Sequence, residues 1–202
     1  MLKIIILAFG MVNKFQNKYR IPSARLQTWD YGSNTAYFIT ICTQARISWF
    51  GKIEEQTMKK SEIGNFASQC WFEIPRHFPF VVLGAFVVMP NHVHGIVIIN
   101  KNDLVGDGDS VRIVETQNFA SLQSTQQQNW QPNQFGPQSQ NLASIIRGYK
   151  IGVTKLAHTI ESAFQWQPRY HDHIIRNANE YKRIENYIIN NPSNWNKDKF
   201  YK

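Results

Sequence analysis

The sequence predicts an α+β fold in which helices pack on one face of an antiparallel sheet. Short runs rich in β-branched and aromatic residues alternate with stretches whose apolar residues recur at helical spacing. Their order is β-β-α-β-β, a long polar loop, then α-α. Strands that follow one another without a crossover helix pair antiparallel, and the helices then have a sheet face to cover. With 202 residues, 43% apolar and 13% aromatic, the chain has enough material for one packed core.

Ala36-Tyr-Phe-Ile-Thr-Ile-Cys-Thr43 reads as the first strand, and Ile47 to Ile53 as its hairpin partner. Residues 60–74 set Ile63, Phe66, Cys70 and Ile74 on one helical face, which ends at Pro75. Phe80 to Met89 is a nearly continuous apolar run, the pattern of a buried central strand. Pro90-Asn91 makes a turn, and His92 to Ile99 continues as another strand. Between Thr116 and Asn141, nine Gln and four Asn share 26 positions without apolar periodicity. Such a stretch cannot offset its ordering entropy by burial, so residues 101–141 are expected to be a mobile insertion. Leu142, Ile145, Ile146, Tyr149, Val153, Leu156 and Ile160 then form the stripe of an amphipathic helix, with Arg147, Lys150 and Lys155 largely off it. A last helix is expected from Asn177 to Asn190, with Asn177 as N-cap and Glu180 three residues on. Pro192 stops it and biases Asn191 away from helical geometry.

The formal net charge of +8 and a pI near 9.5 favour polyanionic partners, either nucleic acid or an acidic membrane surface. Cys42 and Cys70 show no CxxC spacing, which speaks against a disulfide framework or a Cys-based zinc site and for a reduced, cytoplasmic setting. No apolar run approaches the roughly 18 residues that span a bilayer, so no membrane partner is expected. Residues 1–20 read as an N-terminal extension. The short apolar run Met1–Gly10 lacks a cleavage pattern after it, and Met11 is the expected true start. Residues 21–202 then make a single domain carrying the insertion.

His92 and His94 stand two apart on a strand, so their imidazoles project to one side while Val93 points to the other. Neighbouring neutral imidazoles suit a divalent metal, and the bare His-x-His equally suits two ordinary strand histidines. Ile96 stands where the zinc-hydrolase pattern His-x-His-x-Asp has its carboxylate.

Three separated motifs add context: Val88-Met-Pro-Asn-His-Val-His-Gly-Ile96, Trp166-Gln-Pro-Arg-Tyr-His-Asp-His-Ile-Ile-Arg-Asn177 and Tyr187-Ile-Ile-Asn-Asn-Pro192. In this order they resemble the REP-associated tyrosine transposases, which belong to the single-tyrosine HUH transposases of insertion sequences. The similarity runs from about Arg25 through Trp195, with Phe135-Gly-Pro and the helix after it also typical and the Gln-rich loop outside it. The resemblance implies a ferredoxin-like fold with the histidines on a central strand and the nucleophile, Tyr187, on a C-terminal helix. Such enzymes attack a phosphodiester of hairpin-bearing single-stranded DNA, here a REP-like palindrome. They leave a 5′-phosphotyrosine and a free 3′-OH.

Tyr187 and Asn191 are four apart and share a helix face. The Asn191 amide oxygen is a candidate third ligand beside His92 and His94, a mixture that suits Mg²⁺ or Mn²⁺, and an Asn before Pro also serves as a helix cap. Among competing tyrosines, Tyr149 lies on an apolar stripe, Tyr181 in the first turn of the last helix, and Tyr170 before His171-Asp-His173. The resemblance implies that His173 and Arg176 hold structure or contact DNA and bind no metal. Residues 141–202 hold ten Lys/Arg against five Asp/Glu. Arg147, Lys150, Arg169 and Tyr170, with Trp166 and Trp195, are therefore candidates for phosphate contact and base stacking, or a solvated basic face over core tryptophans. The expected activity is DNA nicking and strand transfer. A non-catalytic, domesticated binding module on the same fold is the alternative, and monomer and homodimer both stay open.

Overall fold

The structure, a computed structural model, describes residues 26, 28–101 and 139–201. The expected N-terminal extension, Phe135-Gly-Pro and all but the ends of the Gln/Asn-rich insertion lie outside the described residues.

Four strands form one antiparallel sheet: β1 (Thr35–Cys42), β4 (Val81–Met89), β5 (His92–Ile99) and β6 (His171–Ile175), in the order β4-β5-β1-β6. The histidine-bearing strand β5 is thus interior, and every one of its residues is buried. Between β1 and β4 the chain makes a separate two-stranded hairpin, β2 (Gly51–Glu54) with β3 (Thr57–Lys60), then α1 (Glu62–Phe72) and the short α2 (Ile74–His77). After the insertion come α3 (Leu142–Ala157), β6, α4 (Ala178–Ile189) and a 3-10 turn at Pro192–Lys197.

Two expectations are corrected. Phe80 to Met89, expected as a buried central strand, gives β4 at the edge of the sheet, paired with β5 alone and half-buried along its middle. The segment Ile47 to Ile53 does not pair with β1, whose neighbours are β5 and β6. Ala45 and Arg46 both adopt positive φ, and Thr43 Oγ1 donates to the Ile47 carbonyl at 2.7 Å, so the chain turns away from β1. Its β2 portion pairs with β3 across Glu55-Gln56, both at positive φ, a tight hairpin turn made without the usual Asn-Gly or Asp-Gly.

Strand alternation gives the sheet two apolar faces. Tyr37, Ile39 and Ile41 of β1, with Val93, Val97 and Ile99 of β5, meet Trp71 of α1 and Ile145, Tyr149 and Val153 of α3. Gly95 lies on this side because a Cβ there would sit 2.2 Å from the Trp71 ring, which stacks on Phe86 at 4.5 Å. On the opposite face, Ala36, Ile96 and Ile98 are covered by Tyr181, Ile184 and Ile188 of α4. The helices therefore divide, with α1 and α3 on one face and α4 on the other.

Caps set the helix starts. Ser61 accepts from Gly64 N at 3.1 Å, Asn141 and Ser144 make a reciprocal capping box, and Asn177 accepts from Glu180 N at 2.8 Å. The Glu180 carboxylate does not complete a box with Asn177. It takes the Arg176 backbone N–H and His173 Nε2, each at 2.8 Å.

Candidate active site

The alternation that buries Val93 under α1 and α3 turns His92 and His94 toward α4, with their Nε2 atoms 3.1 Å apart. The other ring nitrogens are occupied. His92 Nδ1 lies 2.9 Å from Asn91 Oδ1, and His94 Nδ1 lies 2.8 Å from the hydroxyl of Thr40, its register partner on β1. Asn91 Nδ2 donates to the Phe200 and Arg46 carbonyls at 2.9 and 3.3 Å, which fixes its oxygen toward His92. An amide oxygen only accepts, so His92 carries its proton on Nδ1 and presents the Nε2 lone pair. Burial, with Lys199 and Arg46 adding positive charge, lowers the His92 pKa to about 3. Burial first, and then His92, holds His94 well below the ordinary value. Both rings are neutral at neutral pH, the form that ligates metals.

Helix α4 brings the tyrosine to this pair. The Tyr187 hydroxyl stands 3.3 Å from His94 Nε2 and 3.4 Å from Asp198 Oδ2. It remains 43% exposed, unlike the histidines at 0% and 1%. Its pKa is raised, mainly by burial and then by the Asp198 charge, with the Asn191 side chain opposing. Asn191 lies beyond the end of α4, yet its φ of −60° and ψ of −43° stay helical despite the following Pro192. Its N–H reaches the Ile188 carbonyl at 3.3 Å, and its Nδ2 donates to Asp198 Oδ2 at 3.1 Å. These bonds outweigh the bias that proline imposes. Asn191 Oδ1 is buried with no hydrogen-bond partner.

His92, His94, Tyr187 and Asn191 therefore converge. Sequence reasoning missed Asp198, one of whose oxygens lies with the two imidazole nitrogens inside a 4.8 Å cluster able to hold a metal. It sits beyond the 3-10 turn, where no periodicity points at β5. Asn91 and Thr40 were also missed. Asn91 was open to discovery, because a ligating histidine needs an acceptor for its second nitrogen and Asn91 is adjacent in sequence.

The donor set fits a divalent cation. Two neutral imidazoles and the Asp198 carboxylate lie in one cluster, and Asn191, bonded to Asp198, keeps a buried Oδ1 without a hydrogen-bond partner, an acceptor that a cation beside Asp198 would satisfy.

The other tyrosines stand elsewhere. Tyr149 is buried under the opposite sheet face and donates to the Ala67 carbonyl at 3.1 Å, while Tyr181 is buried where α4 meets the sheet. The basic and aromatic candidates divide, with Trp195 beside the His92 ring at 6.0 Å and most of the others away from the site. Lys150 Nζ donates to the Gln167 and Arg169 carbonyls at 2.9 and 3.2 Å and lies over the Trp166 ring, which clamps the approach to β6. Arg147, Lys150 and Tyr170 line a groove of about 780 Å³ along α3, on the far side of the sheet from the histidines. Arg169 holds a positive φ of 70°, and the Arg176 N–H is bound to Glu180. Only His173 borders the cavity that reaches Tyr187. Among the described residues no helix is long and apolar enough to cross a membrane.

Fold and site together define a class: an antiparallel α+β protein with a buried His-x-His pair and a helical tyrosine against it. The solved structure of a REP-associated tyrosine transposase bound to a REP hairpin shares this fold. It matches at a TM-score of 0.54 and 20% identity, over 89% of this chain and 77% of that one. No family model matches the chain. An uncharacterized protein of Haemophilus influenzae is 38% identical over 180 residues, covering 89% of this chain and 92% of that protein. The chain belongs to the family of that Haemophilus protein.

Proposed function

We propose that this protein is a metal-dependent endonuclease and strand transferase acting on hairpin-bearing single-stranded DNA, with Tyr187 as nucleophile. The observation that carries the reading is the Tyr187 hydroxyl at 3.3 Å from His94 Nε2, beside two neutral imidazoles whose free nitrogens face one buried space. The fold shared with a transposase bound to a REP hairpin, and the three sequence motifs, support a DNA hairpin as substrate.

His92, His94 and Asn191 would hold Mg²⁺ or Mn²⁺, with Asp198 as a further oxygen donor. When bound, the ion polarises the scissile phosphate and neutralises charge that builds on it. The protein supplies the rest. Tyr187 is protonated at neutral pH, and Asp198 Oδ2 accepts from its hydroxyl and can take that proton as the phenol oxygen attacks phosphorus. The new bond joins phosphorus to Tyr187, the bond to the 3′-oxygen breaks, and that oxygen leaves as the 3′-OH after gaining a proton. The 5′-phosphotyrosine conserves the bond energy, so rejoining needs no nucleotide cofactor. His173, at the cavity beside Tyr187, is placed for DNA contact. Arg147, Lys150 and Tyr170 offer a second contact along α3, with Arg169 and Arg176 as further phosphate contacts. Action on chromosomal DNA corresponds to a cytoplasmic protein.

Incubation with Mg²⁺ or Mn²⁺ and a labelled hairpin oligonucleotide from the gene's own flank should give an adduct that survives a denaturing gel. Tyr187→Phe should remove the adduct and leave DNA binding intact. Loss of the adduct in Tyr149→Phe or Tyr181→Phe, with Tyr187→Phe still active, would overturn the assignment.

A further inference from the structure

Asn91 and Thr40 hold the two imidazoles by different chemistry. Asn91 Oδ1, 2.9 Å from His92 Nδ1, can only accept, so the His92 proton is fixed on Nδ1. Thr40 Oγ1, 2.8 Å from His94 Nδ1, belongs to a hydroxyl, which donates or accepts as it rotates. Thr40 is 5% exposed, and its hydroxyl has no other hydrogen-bond partner among the described residues. Its place on β1 is set from both sides, because it pairs with His94 of β5 and with His171 of β6.

Two fully hydrogen-bonded arrangements follow. In the first, His94 donates from Nε2 to the bare His92 Nε2 at 3.1 Å, and its Nδ1 accepts the Thr40 O–H. In the second, His94 carries its proton on Nδ1, donates it to Thr40 Oγ1 and turns a bare Nε2 to the shared space. Both rings are neutral in either arrangement, and only the second offers two ligating nitrogens. We propose that Thr40 is a positioning residue that lets His94 exchange between these tautomers, so that a divalent cation meets a site whose His92 half is already set. The inference rests on the proposed metal-dependent reading and adds to it how the second histidine is prepared. A partner that only accepts, as Asn91 does, would forbid the first arrangement at His94. The two Nε2 atoms would then face each other as bare acceptors in a buried space, which is costly. A hydroxyl serves both arrangements by rotation alone. In either one the Tyr187 hydroxyl keeps Asp198 Oδ2 as its acceptor, so the exchange leaves the attacking group in place.

The test uses the full chain without DNA. Proton–nitrogen correlation spectra of the histidine rings report which nitrogen of His94 carries the proton, before and after saturation with diamagnetic Mg²⁺. The proton should move from Nε2 to Nδ1, while His92 keeps its proton on Nδ1 throughout. Calorimetric titration with Mn²⁺ then compares variants. Thr40→Val keeps the branched shape and removes the hydroxyl. It should weaken binding roughly tenfold, the low end for losing the partner of a ligating histidine, because the Ile39 carbonyl also hydrogen-bonds this ring. Thr40→Ser, which keeps the hydroxyl, should bind as wild type does. A Thr40 that serves packing alone would lower the melting temperature of Thr40→Val and leave its Mn²⁺ affinity unchanged. That result would overturn the proposal, as would a His94 proton on Nδ1 in both spectra, or Thr40→Ser binding as weakly as Thr40→Val. None of these readouts needs DNA, so failure of the wild-type protein to form an adduct sinks the nuclease reading separately.

Discussion

Asn191 turns its Nδ2 to the Asp198 carboxylate at 3.1 Å and leaves Oδ1 buried without a partner. An unsatisfied buried acceptor costs on the order of 1–3 kcal/mol, and a cation held by the His92, His94 and Asp198 cluster would offset that cost for a side chain already bonded to Asp198. Asp198 then does two things at this scale: it orients Asn191 and it accepts from Tyr187. Calorimetric titration of the purified protein with Mn²⁺, without DNA, should show His92→Ala and His94→Ala losing binding. Asn191→Ala and Asp198→Ala should weaken it by roughly 10–100-fold, the usual scale for losing a residue that supports a metal centre. Asp198→Asn keeps an acceptor for Asn191 but loses the charge, and should fall between wild type and Asp198→Ala. Unchanged affinity in Asn191→Ala would remove Asn191 from the ligand set. His92, His94 and Tyr187 were legible because residue type, spacing and neighbours all agreed. Asp198 was not, because its role depends on a turn that brings it back across 11 residues to Tyr187.

Helix α4 carries Tyr187, and its start is set by one side chain. Asn177 accepts from Glu180 N at 2.8 Å, and the helix then rests on β4 and β5 through Tyr181, Ile184 and Ile188. Asn177→Ala should cost about 1 kcal/mol, which lowers Tm by roughly 2–4 °C in a chain of this size. Asn177→Asp should restore most of it, and thermal melts followed by circular dichroism decide the matter. A melting temperature unchanged in Asn177→Ala would show that packing alone sets this helix. The helices and the strands β1, β4 and β5 were readable because each carries a complete period of apolar residues. The strand β6 was not: His171-Asp-His-Ile-Ile is half polar, and β1 organises it by pairing along the exposed edge of the sheet. The hairpin of β2 and β3 was misread for the same reason, since its turn residues Glu55 and Gln56 carry no local signal for positive φ.

The molecule as a whole carries a formal charge of +8, and binding to DNA should be driven in part by counterion release. Affinity for a hairpin oligonucleotide should therefore fall steeply and log-linearly with salt. Cleavage should also discriminate by strandedness, since Tyr187 lines a cavity that a regular duplex does not readily enter. A hairpin with single-stranded flanks should be cut far faster than the same sequence fully paired, as gel assays of both substrates over a salt series will show. Equal rates on the two forms would refute the single-strand mechanism.

The sequence by itself determined the α+β class, the starts of the last two helices and, through its motifs, the interior position of the histidine strand and which tyrosine stands beside it. All of these rest on short-range periodicity or on motifs in which neighbours in sequence are neighbours in space. Only the tertiary structure decided that α4 lies on the opposite face from α1 and α3. It alone also decided that β6 completes the sheet and that Asn91, Thr40 and Asp198 complete the site. Such contacts join residues that carry no common period, and they form because buried polar groups must find partners wherever the folded chain leaves them.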